Sequence, residues 1–139
     1  MSNKKVSIRA MSCFDEGYNC AESMIVAFND SYTEVDINIA LATPFGAGLG
    51  ARRDLCGMLV AGTMLIGHLH GRIDPRDMEQ KTKSYKMAGT YYRWFKERFG
   101  AVMCRDIVPG KFTGHTEVCV GILRQASVYL AETVIEPTE

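Results

Sequence analysis

The residues in this chain that are best suited to chemistry are its five cysteines: Cys13, Cys20, Cys56, Cys104 and Cys119. A thiolate can ligate a metal ion, hold an iron–sulfur cluster or attack a disulfide. None of the five forms a C-x-x-C pair, so the sequence lacks the spacing of the common zinc-ribbon sites. Thiol chemistry in this chain therefore requires cysteines that are distant in sequence to meet in the fold.

Four of the cysteines fall at or near predicted helix beginnings, namely Cys20, Cys56, Cys104 and Cys119. Free backbone N–H groups and the helix dipole favour negative charge there, which predicts a lowered thiol pKa. Arg52, Arg53 and Arg105 lie nearby in sequence and could add positive potential. Cys13 lies near the end of a helix and is interpreted as a packing residue or a spare thiol. For each cysteine taken singly, inert core packing is the alternative.

The elements that must position these thiols are predicted to be helices, and the expected fold is an all-α bundle of about five. The predicted helices run from about Lys5 to Phe14, from the Asn19 cap to Phe28, from Asp54 to Gly71, from Asp74 to Gly100 and from Thr116 to Val134. A short turn around Cys104 joins the last two helices. Little strand signal is present anywhere in the chain.

Polar residues in capping positions predict where three of these helices begin. Asn19, with Glu22 three residues later, has the capping-box spacing. Asp54 is the predicted N-cap of the third helix. Asp74 followed by Pro75 is predicted to cap the fourth helix, with the proline in its first turn.

The fourth helix has the clearest pattern of a buried face. Its predicted core positions follow i, i+3, i+4, i+7 spacing and are Ala88, Tyr91, Tyr92, Phe95 and Phe99. Gly100 then predicts the end of the helix.

Length and composition predict one domain over residues 1–139, because no linker, repeat or low-complexity segment divides the chain. Sixteen basic residues balance sixteen acidic ones, so no nucleic-acid partner is expected. The longest apolar stretch, Leu55 to Leu69, is shorter than the ~20 residues that span a bilayer, and the N-terminus lacks a long apolar region. We therefore expect a cytoplasmic protein that does not span a membrane, in which cysteines rarely form permanent disulfides.

Two further motifs carry weaker signals. The loop 46–51, GAGLGA, matches the dinucleotide fingerprint G-x-G-x-x-A, but no second parallel strand is evident, so a turn leading into the third helix is favoured and no nucleotide is expected. No C-x-x-C-H haem attachment site is present. His115 lies four residues before Cys119 and could share a helical face with it as a ligand, although a role at the helix start is favoured.

Four segments of the chain together resemble a known family: "GYNCAESM", "FGAGLGARRDLCGMLVAG", "FKERFGAVMCRDI" and "HTEVCVGILRQA". They are similar to the small redox-active proteins named for the cysteine signature C_GCAxxG_C_C, over about Phe14 to Leu130. The resemblance assigns the signature cysteines to Cys20, Cys56, Cys104 and Cys119, and leaves Cys13 outside. The family's Cys-Gly-Ala-x-x-Gly motif is altered here, since Met58 replaces the alanine and Ala61 precedes Gly62 where one glycine is expected.

The resemblance implies a redox function. A similar cysteine domain accompanies a two-iron cluster in split-Soret-type cytochromes, and family members are often encoded near transporters. The predicted function is therefore electron transfer by an iron–sulfur cluster, two-iron, held by the four signature cysteines. Its expected partner is a redox protein or a transporter-associated system.

Three alternatives to the cluster stay open. Pairs of these cysteines could cycle between dithiol and disulfide in a thiol oxidoreductase, provided that their Cα atoms lie within roughly 7 Å. Four thiolates, or three with His115, could instead hold Zn²⁺ in a binding module. The thiols could also be buried and inert in a protein with an interaction role. Met-rich apolar helices in a small domain make a homodimer a further expectation.

Overall fold

The computed structural model describes residues 2–110 and 116–135, and this part of the chain is all-α, as predicted. The α-helices are α1 (Ser2–Asp15), α2 (Cys20–Ser31), α3 (Gly57–His70), α4 (Met78–Phe99), α5 (Cys104–Ile107) and α6 (Glu117–Leu130). Two 3₁₀ turns, Ile39–Leu41 and Thr43–Phe45, precede the glycine-rich loop, and α6 continues into a π-helical turn, Ala131–Ile135. The expected number of about five helices is slightly low. The described residues form five longer α-helices, and the short α5 and the three helical turns come in addition to these.

The helices pack around one hydrophobic cluster. Helix α1 packs against α2 and α6, while α3 packs against α2 and α4. Most of the largest fully buried side chains come from α2, α3, α4 and α6, and they include Met24, Phe28, Met58, Leu65, Tyr91, Phe95 and Leu123. This packing fixes the directions of the helices and therefore the positions of their N-terminal ends.

The predicted capping box at the start of α2 is confirmed. The Asn19 side chain accepts a hydrogen bond from the Glu22 backbone N–H at 2.8 Å, and the Glu22 carboxylate accepts one from the Asn19 N–H at 2.9 Å. Two of the N–H groups at the helix start are thereby satisfied. The helix ends at Ser31, three residues after the predicted Phe28.

The predicted N-cap of α3 is wrong. The helix begins at Gly57, so Cys56 and not Asp54 occupies the N-cap position. The Asp54 carbonyl accepts a hydrogen bond from the Cys104 N–H at 2.6 Å, and Leu55 forms an antiparallel bridge with Met103. This pairing with a distant segment holds the backbone extended up to Cys56, and the helix can begin only after it.

The predicted N-cap of α4 is also displaced. The helix begins at Met78, and Asp77 caps it by accepting a hydrogen bond from the Gln80 N–H at 3.0 Å. The Asp74 carboxylate instead accepts from the Arg76 N–H at 2.9 Å, which closes a turn before the helix. The cap is therefore Asp77, three residues after the predicted Asp74.

The buried face of α4 is narrower than predicted. Tyr91 and Phe95 are fully buried, whereas the Tyr92 side chain is 43% exposed, so its predicted place in the core is wrong. Helix α4 packs mainly on α3, and Tyr129 of α6 stacks on Tyr91 and Trp94, so the side of α4 that carries Tyr92 stays exposed. The helix ends at Gly100, whose φ of 81° lies in the left-handed region, as the glycine predicted.

One helical stretch in the described ranges, Glu117–Ile135, is long and apolar enough to cross a membrane by length and composition alone. A core helix passes the same test, and the inward side chains of this stretch, including Ile122, Leu123 and Leu130, are buried in the hydrophobic cluster. The expectation that the chain does not span a membrane stays a prediction.

Candidate functional site

Four of the five cysteines line one cavity of about 420 Å³. Cys20 is the first residue of α2, and Cys56 is the residue immediately before α3. Cys104 is the first residue of α5, and Cys119 lies in the first turn of α6. Their predicted location at helix beginnings is confirmed, and packing of the helices brings these four beginnings to one cavity.

The rest of the cavity wall is uncharged. Its apolar part includes Pro44, Met58, Ile107, Val108 and Ile122. Within residues 2–110 and 116–135, no aspartate, glutamate, histidine, lysine or arginine lines it. The four thiols are therefore the main reactive groups of the described lining.

Gly57 allows Cys20 to approach the start of α3. A Cβ atom at this position would lie 2.7 Å from the Cys20 Sγ and 2.6 Å from the Phe45 carbonyl oxygen, both too close for a real contact. The sulfur of Cys20 therefore lies directly against the residue that follows Cys56. The glycine that follows Cys56 thus leaves room for the Cys20 sulfur at this site.

The glycine-rich loop forms one wall of the cavity. Ala47, Gly48, Leu49, Gly50 and Ala51 all have φ between 53° and 77°, in the left-handed region that non-glycine residues rarely adopt. The loop is closed by backbone hydrogen bonds within residues 44–54. It is a turn leading towards α3, as predicted, and the backbone of its Ala47 lowers the pKa of the Cys20 thiol, which offsets part of the rise that burial causes.

Burial raises the thiol pKa of two cavity cysteines. The pKa of Cys56 rises from 9.0 to about 12, chiefly because the thiol is buried and secondly because Cys20 is close. Burial also raises the pKa of Cys20, with Cys119 and Cys104 adding to the effect. These mutual effects are a second sign that the four sulfurs share one environment.

The predicted lowering of the thiol pKa at helix beginnings is therefore wrong for Cys20 and Cys56. Backbone N–H groups at the start of α3 do lower the pKa of Cys56, and those of Ala21 and Ala47 lower that of Cys20. Burial of the thiolate away from water destabilises it more than these backbone N–H groups stabilise it, so the pKa of each thiol rises.

Arg53 is the arginine that contacts a cavity sulfur. Its Nε donates a hydrogen bond to the Cys104 Sγ at 3.1 Å. Arg52 is exposed, and Arg105 reaches only the Arg53 carbonyl, at 3.5 Å. Of the three arginines expected to add positive potential, Arg53 alone has a described contact with a signature thiol.

Two residues from the predictions lie away from the cavity or outside the described residues. Cys13 is fully buried in α1 and does not line the cavity, in agreement with its interpretation as a packing residue. Burial raises its thiol pKa to about 11. His115 lies outside the described residues, so its proposed ligand role stays a prediction.

Sequence reasoning did not identify the polar neighbours of Cys20 as part of the cavity wall. Tyr18, Asn19 and Thr43 line it, and the Asn19 side-chain amide donates a hydrogen bond to the Thr43 carbonyl at 3.1 Å. The Thr43 hydroxyl donates to the Glu22 carboxylate at 2.6 Å. Adjacency to Cys20 is a signal for Tyr18 and Asn19, whereas nothing local indicates Thr43.

The sulfurs share the cavity without forming a site for one ion. Among the described residues, no group of three or more His, Cys, Asp or Glu side chains is placed to hold a metal ion. All five cysteines are present as free thiols.

Comparison with known proteins identifies one family. Residues 18–133 match the family described as "Putative redox-active protein (C_GCAxxG_C_C)". No curated protein and no solved structure matches the chain significantly. Since the family match spans most of the chain and contains all four cavity cysteines, this chain belongs to the C_GCAxxG_C_C family of redox-active proteins.

Proposed function

We propose that the chain is an electron-transfer protein whose cavity holds an iron–sulfur cluster on Cys20, Cys56, Cys104 and Cys119. The observation that carries this proposal is the meeting of four cysteines from four helix beginnings at one cavity of about 420 Å³. Four thiolates are the usual ligand set of a two-iron cluster. Such a cluster spreads its ligands over more than one metal centre, so it does not require four sulfurs around a single ion.

The surroundings of the thiols suit such a group. Cys56, Cys104 and Cys119 are each less than 10% exposed, so water has little access to their sulfurs. Backbone N–H groups of Ala21 and Ala47 lower the pKa of Cys20, and those of Met58 and Leu59 lower that of Cys56, so both thiolates have stabilising donors nearby. When bound, the cluster would accept and return single electrons. The raised pKa of Cys20 and Cys56 means that both thiols must release a proton on ligation.

The direct test is anaerobic reconstitution of the full chain with iron and sulfide, followed by metal analysis and visible spectroscopy. We expect brown protein with charge-transfer bands, and loss of iron and colour in Cys20→Ala, Cys56→Ala, Cys104→Ala and Cys119→Ala. Cys13→Ala is the matched control, because Cys13 is also a buried free thiol but lies outside the cavity. Colourless, iron-free wild-type protein would refute the cluster.

A second candidate function is a dithiol–disulfide exchange between Cys20 and Cys56. It is supported by the close contact of the Cys20 sulfur with Gly57 and by the rise that Cys20 causes in the pKa of Cys56. Oxidation would form one S–S bond, release two protons and deliver two electrons to an acceptor disulfide, which becomes a dithiol. Thiol titration before and after reductant tests it, since a cluster-only protein shows no reversible loss of two thiols.

Zinc is the third candidate occupant. Because no described group of three ligand side chains is placed to hold a metal ion, zinc has weaker geometric support than a cluster. Metal analysis of protein purified without added metal distinguishes the two.

For each of these functions, the proposed partner is a redox protein or a transporter-associated system in the cytoplasm. We also propose a homodimer, and sedimentation measures the oligomeric state.

A further inference from the structure

The Arg53 guanidinium lies in a fixed position beside Cys104. Its Nε donates to the Cys104 Sγ at 3.1 Å, and its Nη2 donates to the Cys104 carbonyl at 3.2 Å. The same guanidinium also donates to the carbonyls of Val108 and Gly110. One side chain therefore contacts both the sulfur of Cys104 and the backbone that carries it.

The backbone around Arg53 holds the two segments together. The Arg53 carbonyl accepts from the Arg105 N–H at 3.0 Å, and the Asp54 carbonyl accepts from the Cys104 N–H at 2.6 Å. The Cys56 N–H donates to the Val102 carbonyl at 2.8 Å. These bonds link the segment before α3 to the start of α5. Arg53 therefore belongs to the same hydrogen-bonded pair of segments as Cys56 and Cys104.

Arg53 itself adopts a costly conformation. Its φ of 61° lies in the left-handed region, where glycine is the favoured residue. A non-glycine residue is kept there only where its surroundings enforce the conformation, and such positions cluster at functional sites. Here the conformation aims the only guanidinium with a described contact to a signature sulfur at Cys104.

We propose that Arg53 is a positioning residue that distinguishes Cys104 from the other three cavity cysteines. The inference rests on the proposed function, since its main effect is on a cluster held at this site. A charged donor to a ligand sulfur stabilises the more negative, reduced state of a cluster and raises its reduction potential. In the metal-free chain the same contact makes Cys104 react with electrophiles faster than it would without the guanidinium.

The test compares wild-type protein with Arg53→Met, Arg53→Lys and the neighbouring control Arg52→Met. The reduction potential of the reconstituted protein is measured by spectroelectrochemistry. We expect a more negative potential in Arg53→Met, a smaller shift in Arg53→Lys, which keeps the charge but not the planar fork, and no shift in Arg52→Met. If Arg53 had only a structural role, the reduction potential would not shift more in Arg53→Met than in Arg53→Lys.

A second measurement uses the reduced, metal-free full chain. Each thiol is alkylated with iodoacetamide at one pH and followed by peptide mass spectrometry. We expect alkylation of Cys104 to slow several-fold in Arg53→Met, with Cys119 unchanged as the internal reference. If Arg53→Met fails to fold, Arg53→Gly, which relieves the positive φ, takes its place.

The outcomes separate this inference from the proposed function. An unchanged potential, or equal or faster alkylation of Cys104 in Arg53→Met, overturns the role of Arg53 even when iron is bound normally. Wild-type protein that binds no iron, but whose Cys104 alkylation depends on Arg53, refutes the cluster and supports the Arg53 contact. Equal changes in Arg52→Met would show a general effect of charge and contradict the specific contact.

Discussion

Gly57 allows the Cys20 sulfur to lie against the start of α3, next to Cys56. A side-chain Cβ there would lie 2.6 Å from the Phe45 carbonyl oxygen and 2.7 Å from the Cys20 Sγ. We therefore expect Gly57→Ala to lower the free energy of unfolding by about 1–3 kcal/mol through overpacking. It should also reduce the iron bound after reconstitution, because Cys20 must move.

The matched control for this prediction is Gly67→Ala in the same helix. No atom lies within 4 Å of a Cβ at Gly67, so this variant should gain about 0.5–1 kcal/mol from higher helix propensity and bind iron normally. Denaturant unfolding and iron analysis of both variants check the pair. Equal stability of Gly57→Ala and wild type would contradict the steric role of the glycine.

The raised pKa of Cys56 predicts a loss of stability at high pH in the metal-free protein. The folded chain keeps the thiol protonated up to a pKa of about 12, whereas an unperturbed thiol titrates near 9.0. Between these values the unfolded state binds fewer protons, so stability is full below pH 9 and falls as the pH rises towards 12. The slope is at most about 1.4 kcal/mol per pH unit from this group.

This pH prediction is checked by unfolding curves of wild type and Cys56→Ala over the same pH range. The variant should lose less stability with rising pH, because it lacks the titrating thiol. Other groups that titrate in this pH range are present in both proteins, so their effects on stability cancel in the comparison. If the stability of both proteins fell equally with rising pH, burial would not raise the pKa of the Cys56 thiol.

At the scale of the element, α2 shows how a local signal places a reactive residue. In the Asn19–Glu22 capping box, the cap residue Asn19 immediately precedes Cys20, the first residue of the helix, so the cap and the thiol share one turn. Asn19→Ala should cost about 1 kcal/mol of stability. It should also reduce iron binding, because the Asn19 amide bonds the Thr43 carbonyl in the cavity wall.

Asp77→Ala provides the comparison for the Asn19 variant. Asp77 caps α4 in the same manner but does not line the cavity, so this variant should lose similar stability and bind iron normally. Thermal unfolding and iron content of the two variants test the prediction. Equal iron loss in both would trace the effect to general destabilisation instead of to the position of Cys20.

The elements also show where sequence reasoning fails. The cap of α2 was predictable because both of its partners lie within four residues. The beginning of α3 was not, since backbone hydrogen bonds join residues 53–56 to residues 102–105. A capping signal at Asp54 says nothing about a backbone partner some fifty residues away, and that partner decides where the helix starts.

At the scale of the whole molecule, Tyr91 connects the core to the site. Its buried hydroxyl donates to the Met58 carbonyl at 2.9 Å, in the first turn of α3. Gly62 makes room for it, because a Cβ there would lie 2.7 Å from the hydroxyl oxygen. The close approach of α4 to α3 thus fixes the end of α3 that follows Cys56.

Tyr91→Phe should lower the free energy of unfolding by about 1 kcal/mol, because it removes one buried hydrogen bond. Tyr92→Phe is the control, since Tyr92 is 43% exposed and its loss of a hydroxyl should change stability by less than about 0.5 kcal/mol. Chemical denaturation distinguishes the two variants. No difference between them would show that the contact with α3 contributes nothing to stability.

The sequence alone determined the helical class, the capping box of α2, the end of α4 at Gly100 and the location of four cysteines at helix beginnings. These features depend on periodicity and on contacts within a few residues, which a sequence displays directly. Tertiary structure decided that the four cysteines share a cavity, that Arg53 contacts Cys104 and that burial raises the pKa of Cys56 instead of lowering it. Burial and contacts between distant segments follow from how helices pack, and no local pattern encodes them.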